Sequence, residues 1–300
     1  MSTIVATMNY HGVNAQEIIT SDGIAFACKE YGHGEPVVAL HCSASNGRQW
    51  RPLADGLGER FRIVAPDGFG YGESRPWHGF RPFRLTDEAA IVRALAAQSG
   101  DPVHLIGHSY GGGVALRAAL EVPERIRTLT LIEPSAFHLL RLAGEHEAGL
   151  FAEIRSVAET ISQCVANGDY AAGMECFIGY WSGPGTWQKL DSSRRRAFAA
   201  KAARVALDFN ALINESLGLT AYHRLAMPVL LIEGSRSPKP SRRICQLLAG
   251  TMPNATSIII PGVGHMGVVE AFARFLPAIQ RHLLGMTANS RSMLKLAVPA

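Results

Sequence analysis

The sequence predicts an α/β fold: a mostly parallel central sheet flanked by helices, with a helical cap inserted late in the strand order. Three observations predict it. Short apolar runs alternate with helix-period segments up to about residue 132. From about 137 to 225 the alternation stops, and the chain reads as several helices with no convincing strand. At 228 it resumes, with strand, helix, strand and helix in turn.

The elements follow in order. Segments 17–20 and 24–29 flank Asp22-Gly23, a hairpin turn signal. Residues 36–40 and 62–65 are short apolar strands. Thr86 and Asp87 can cap a helix whose apolar face uses Ala90, Ile91, Leu95 and Ala96. Residues 103–106 form a strand that ends at Gly107, and an Ala- and Leu-rich helix runs from Tyr110 to about Glu121. Residues 128–132 are the next strand. After the insertion come a strand at 228–232, a helix at about 241–248, a strand at 257–260 and a helix at about 268–284. The expected division is a core of residues 1–136 and 226–285, a helical cap of 137–225 and a flexible tail of 286–300.

Composition narrows the functional classes. Of 300 residues, 47% are hydrophobic and 18% charged, enough for a large core and unlike a disordered chain. No apolar run approaches the roughly 18 residues of a membrane helix, so no membrane partner is expected. The net charge is +4, and the one short basic run is Arg194-Arg195-Arg196. Nothing resembles a basic stripe interleaved with aromatics, so no nucleic-acid partner is expected. Five cysteines, with no CxxC pair and no apolar leader before them, read as free thiols of a cytoplasmic protein. His146-Glu147 opens a zinc-protease pattern that Leu150 breaks, so no metal is expected.

Gly107-His108-Ser109-Tyr110-Gly111 fits G-x-S-x-G between a strand and a helix. Such a turn forces strained backbone angles on the serine, so its neighbours must be small. It lifts the Ser109 hydroxyl above the sheet and aims the Tyr110 N–H and the helix dipole at the reacting centre. Three further motifs stand in order. Leu40-His41-Cys42-Ser43 follows an early strand. Asp67-Gly68-Phe69-Gly70-Tyr71-Gly72-Glu73-Ser74 follows another. Gly264-His265-Met266 follows a late one. The glycines at 68, 70 and 72 lack the following helix of a nucleotide-binding fingerprint.

With these motifs the chain resembles the α/β-hydrolase family over roughly residues 15–285, in its serine-nucleophile branch. The resemblance implies Ser109 as nucleophile, His265 as general base, and the backbone N–H groups of Ser43 and Tyr110 as an oxyanion hole. It implies no cofactor. Two positions depart from the pattern. Cys42 replaces the usual glycine of the oxyanion motif, which puts that loop's backbone angles in question. The usual acid position, after Glu233-Gly234, holds Ser237. Some branches place the acid after the preceding core strand, where this chain has Glu133-Pro134, so Glu133 is assigned and Glu233 is the alternative.

The insertion sits where the family carries its lid. Trp50, Trp77, Phe80, Phe137, His138, Tyr180 and Trp181 are candidate pocket residues. An apolar pocket predicts a small to medium, largely uncharged ester or lactone as the small-molecule partner. The alternatives are a C–C bond hydrolase of the same fold and a catalytically silent ligand-binding relative. A monomer and a homodimer fit the sequence equally.

Overall fold

The computed structural model describes residues 4–10, 13–19 and 25–286, with side chains from residue 25 onward. Among the described residues nine strands form one sheet: β1 (Ile4–Tyr10), β2 (Val13–Ile19), β3 (Ala25–Tyr31), β4 (Glu35–Leu40), β5 (Phe61–Pro66), β6 (Val103–His108), β7 (Ile126–Ile132), β8 (Val229–Gly234) and β9 (Ala255–Ile260). Their spatial order is β1-β2-β3-β5-β4-β6-β7-β8-β9. The first three strands and their junction with β5 are antiparallel. From β5 to β9 every pairing is parallel. The β2–β3 pairing joins the segments expected to form a hairpin, although Asp22-Gly23 lies outside the described residues. So does 287–300, which holds nearly all of the expected tail.

The helices are α1 (Arg51–Leu57), α2 (Leu85–Gln98), α3 (Tyr110–Glu121), α4 (His138–Leu142), α5 (Ala148–Ala166), α6 (Tyr170–Ser182), α7 (Thr186–Lys189), α8 (Ser192–Ala199), α9 (Ala202–Ile213), α10 (Lys239–Ala249), α11 (Gly267–Glu270) and α12 (Leu276–Leu283). Helices α4 to α9 fill the insertion between β7 and β8. None of the described helices is long and apolar enough to cross a membrane.

Both faces of the central strands are buried, because helices cover each side of a parallel sheet. Successive residues therefore enter different cores. Val38, Leu40, Leu105, Leu129 and Leu131 pack with α2, α3 and the insertion. Val37, Ala39, Ile106, Ile132 and Ile232 pack with α1 and α12.

Two boundaries differ from the sequence expectation. Helix α2 begins at Leu85, with Arg84 as its N-cap. Asp87 does not cap from outside; its carboxylate accepts the Arg84 backbone N–H at 2.8 Å from within the first turn. The last expected helix is broken into α11, a 3₁₀ turn at Phe272–Arg274, and α12. Pro277 lies in the first turn of α12, where its missing N–H costs nothing, but it prevents an unbroken helix.

The start of α3 lies tight against the β4 turn. A Cβ on Gly111 would stand 2.4 Å from the Leu40 carbonyl oxygen and 2.6 Å from that of His41. Gly179, inside α6, has open space around its Cα. Gly111→Ala is expected to lose about 2–3 kcal/mol in urea unfolding. Gly179→Ala is expected to gain about 0.5–1 kcal/mol in the same measurement.

Candidate active site

The carboxyl ends of β6, β7 and β8 and the loop after β9 converge on one point. Ser109, directly after β6, has φ 55° and ψ −118°, a conformation that side-chain-bearing residues rarely adopt. Its N–H donates to the Ile132 carbonyl at 3.0 Å, and its own carbonyl accepts the Ser135 N–H at 2.9 Å. Glu133 ends β7 at φ 44°, immediately before Pro134. Both are therefore left-handed residues held by hydrogen bonds rather than by preference.

Three side chains form a continuous chain. Ser109 Oγ is 2.8 Å from His265 Nε2. His265 Nδ1 is 2.7 Å from Glu133 Oε2. A carboxylate can only accept here, so the proton sits on Nδ1 and leaves Nε2 to accept from the serine. The other Glu133 oxygen accepts the Gly234 N–H at 2.8 Å and the Ser237 hydroxyl at 2.6 Å. Burial acts to raise the Glu133 pKa, but His265, Ser237 and the Gly234 N–H together hold it below the ordinary carboxylate value. Ser237, at the family's usual acid position, thus serves the carboxylate that stands in for it.

Glu233 faces elsewhere. Its carboxylate lies 3.6 Å from Arg242, and burial raises its pKa against that attraction. The structure joins Glu133, not Glu233, to His265.

The oxyanion-loop question also has a geometric answer. Cys42 does not have a positive φ; the residue that turns the loop is Ala44, at φ 60°. Cysteine therefore meets no backbone penalty where the family has glycine. Burial pushes its thiol up to about 12, so it carries no thiolate character near neutrality. The backbone N–H groups of Ser43 and Tyr110 have no protein acceptor among the described residues. Tyr110 also opens α3, whose positive end points at Ser109.

His108 links the two sides of the site. The Cys42 N–H donates to Gln49 Oε1 at 3.1 Å, and Gln49 Nε2 lies 3.1 Å from His108 Nδ1. An amide nitrogen donates, so Nδ1 accepts and His108 Nε2 donates to the His265 carbonyl at 3.0 Å. Burial and the neighbouring His265 lower the His108 pKa to about 3, keeping it neutral.

The expected pocket residues divide. The Trp181 ring stands 4.0 Å from the His265 ring, centre to centre, and Phe137 stacks between Trp181 and Phe209. Tyr180 packs edge-on behind Trp181 and donates its hydroxyl to Glu153. Four expectations need correction. Trp50 is fully buried in the core shared by α1 and α12, on the other side of the sheet. Phe80 is fully exposed. Trp77 packs on Phe69 and Phe83 instead of on the serine or histidine. His138 is spent on the Tyr222 hydroxyl and the Leu212 carbonyl, and burial lowers its pKa to about 4. Ser109 is 6% exposed and His265 2%, so the insertion closes over them in this conformation. No group of three or more His, Cys, Asp or Glu among the described residues is placed to hold a metal ion.

Sequence reasoning missed Ser135, Gln49, Phe209, Arg204 and Asp208. Ser135 Oγ is 3.2 Å from Ser109 Oγ. Arg204 and Asp208 of α9 form a buried pair, with N and O 2.6 Å apart, against the oxyanion loops. No local motif marks any of them.

A family model described as the alpha/beta hydrolase family matches residues 37–278. The chain is 36% identical over 110 residues to a protein named lipase LipV of Mycobacterium tuberculosis; the match spans 36% of this chain and only 41% of that protein's length. It is 27% identical over 252 residues to the 2-(acetamidomethylene)succinate hydrolase of Mesorhizobium japonicum, covering 81% of this chain and 85% of the relative. A solved hydrolase structure from Pseudomonas aeruginosa PA01 superimposes with a TM-score of 0.68 at 26% identity, covering 92% of this chain and all of the other.

The geometry makes the acid assignment testable. Glu133→Gln is expected to slow fluorophosphonate labelling of Ser109 about a thousandfold or more, with the fold intact by circular dichroism. Glu233→Gln is expected to label at the wild-type rate, and the reverse pattern overturns the assignment.

Proposed function

The chain belongs to the alpha/beta hydrolase family, and on that premise we propose that it is a serine hydrolase cleaving a small to medium, largely apolar carboxylic ester or lactone through an acyl-enzyme. The observation that carries this reading is the unbroken hydrogen-bonded chain Ser109–His265–Glu133. A serine nucleophile favours attack on a carbonyl carbon, whereas an aspartate would favour alkyl transfer.

His265 Nε2 takes the Ser109 proton as Oγ attacks the carbonyl. The Ser43 and Tyr110 N–H groups receive the developing oxyanion, each worth about 3–4 kcal/mol of barrier. Collapse of the tetrahedral intermediate expels the alkoxide, which takes the proton from His265. Water then attacks the acyl-enzyme, giving its proton to the same nitrogen, and the acid is released with Ser109 restored. Glu133 keeps the imidazolium stable throughout and does not itself take the proton.

The apolar side of the reading rests on Trp181, Phe137 and Phe209, which carry no charge to bind a polar acyl chain. The substrate displaces Trp181 from the face of His265 or slips past it, so chain length is limited by that ring. Among p-nitrophenyl esters, acetate and butyrate are expected to be turned over with at least about tenfold greater kcat/KM than decanoate. Trp181→Ala is expected to shift the optimum toward longer chains. A flat, near-zero response across the series, with Ser109 still labelled by fluorophosphonate, points instead to a lactone or a C–C bond as substrate.

A further inference from the structure

Helix α9 of the insertion carries three polar side chains on one face, spaced three and four residues apart: Lys201 at its N-cap, then Arg204 and Asp208. Each reaches across to the core. Lys201 Nζ donates to the Ala44 carbonyl at 2.7 Å, at the residue whose positive φ turns the oxyanion loop. Asp208 Oδ2 accepts the Ser43 hydroxyl at 2.6 Å and the Tyr71 hydroxyl at 2.5 Å. Arg204 donates to the Tyr110 hydroxyl at 3.0 Å, to Glu88 at 2.6 Å, and to the Phe69 carbonyl. Glu88 in turn accepts the Tyr110 hydroxyl at 2.8 Å and the Phe69 N–H at 2.8 Å. The Arg204 guanidinium also lies over the rings of Tyr71, Phe83 and Tyr110.

Both residues whose N–H groups face the oxyanion position thus have side chains tied to α9, as do Tyr71 and Glu88 beside them. Ser43 is held by Asp208 and Tyr110 by Arg204. The ties are buried: Asp208 has no exposed surface. Burial pushes its carboxyl up to about 6 even with Arg204 and two hydroxyls beside it. The Ser43 hydroxyl, spent on Asp208, is not free to donate to a substrate.

Resting on the serine-hydrolase reading above, we propose that α9 is a latch for the oxyanion hole. Asp208 and Arg204 are positioning residues that set the spacing of the Ser43 and Tyr110 N–H groups, so the hole is complete only when the insertion is seated on the core. The cap then acts on the transition state as well as on access. A misplacement of a donor by about 1 Å is enough to matter on the scale of a hundredfold in rate.

The test is a double-mutant cycle of Ser43→Ala and Asp208→Asn, read with p-nitrophenyl butyrate and with an aliphatic trifluoromethyl ketone, which adds Ser109 to its carbonyl and places an oxyanion in the hole. Each single variant is expected to lower kcat by about ten- to a hundredfold, with KM within about twofold of wild type. The ketone Ki is expected to rise by the same factor as kcat falls, because both report the oxyanion. The double variant is expected to be no worse than Asp208→Asn alone, because the carboxylate acts through the hydroxyl. Unchanged kcat in both variants, losses that multiply in the double variant, or a rise in KM alone would overturn the latch. Asp208→Asn leaves Arg204 with less charge beside it; if that variant does not fold, Ser43→Ala removes a single hydroxyl and decides the question, with unchanged kcat and Ki overturning the proposal. A wild type that neither hydrolyses any ester nor binds the ketone overturns the hydrolase reading and the latch with it, whereas an active wild type with unaffected variants overturns the latch alone.

Discussion

The backbone at Ser109 is the constraint on which the site depends. A φ of 55° with a ψ of −118° is unfavourable by about 1–3 kcal/mol for a residue with a side chain, so the surroundings must over-determine it. The Gly112 and Gly113 N–H groups of α3 donate to the Ser109 carbonyl, and the rest comes from the end of β7 and the turn after it. The turn after β7 takes the Ser109 N–H at Ile132 and gives the Ser135 N–H to its carbonyl. That turn also carries Glu133, itself left-handed, and Pro134, which stands so close to α3 that a Cβ on Gly112 would lie 2.7 Å from its Cα. Nucleophile and carboxylate are therefore not two groups placed separately. They are two ends of one hydrogen-bonded pair of turns, and moving either turn displaces both. A carboxylate after β7 is thereby placed within hydrogen-bond reach of His265. The β8 turn contributes the Gly234 N–H and the Ser237 hydroxyl in place of a charge.

What was legible in the sequence follows from where the information is local. Parallel strands buried on both faces leave apolar runs, so β4 to β8 stand out by pattern alone. The nucleophile turn is legible because its steric demand imposes glycines at fixed spacing. Glu133 is legible through the resemblance, some of whose branches carry the acid after this strand, and because a carboxylate at a strand end before proline faces the edge that carries Ser109. The final helix misleads, since its apolar period runs on from α11 into α12 while its backbone breaks into a 3₁₀ turn just before Pro277. The tryptophans mislead for another reason. Trp50 and Trp181 are alike as residue types, yet one lies in the α1–α12 core and the other against His265, and only the topology separates them. Asp208 has no signature at all, because its partner Ser43 is 165 residues away in sequence.

The chemistry of the contact between the insertion and the core bears on how such an enzyme works. Apolar packing holds surfaces together without fixing atoms, because the hydrophobic effect is non-directional. Phe137, Trp181 and Phe209 supply that kind of contact, with Trp181 against His265. A buried ion pair is a poor source of stability, since desolvation consumes most of its attraction. Its value lies in direction: a carboxylate or guanidinium satisfied by named hydroxyls and carbonyls tolerates little displacement before a charge is left unpaired. The division of labour on the insertion is consistent with that difference. The Trp181 ring, backed by Phe137, covers the histidine through non-directional contact. Charges, whose contacts are directional, face the loops that carry the oxyanion donors. In the proposed latch, these directional contacts fix the separation of the two N–H groups whenever the insertion is seated on the core.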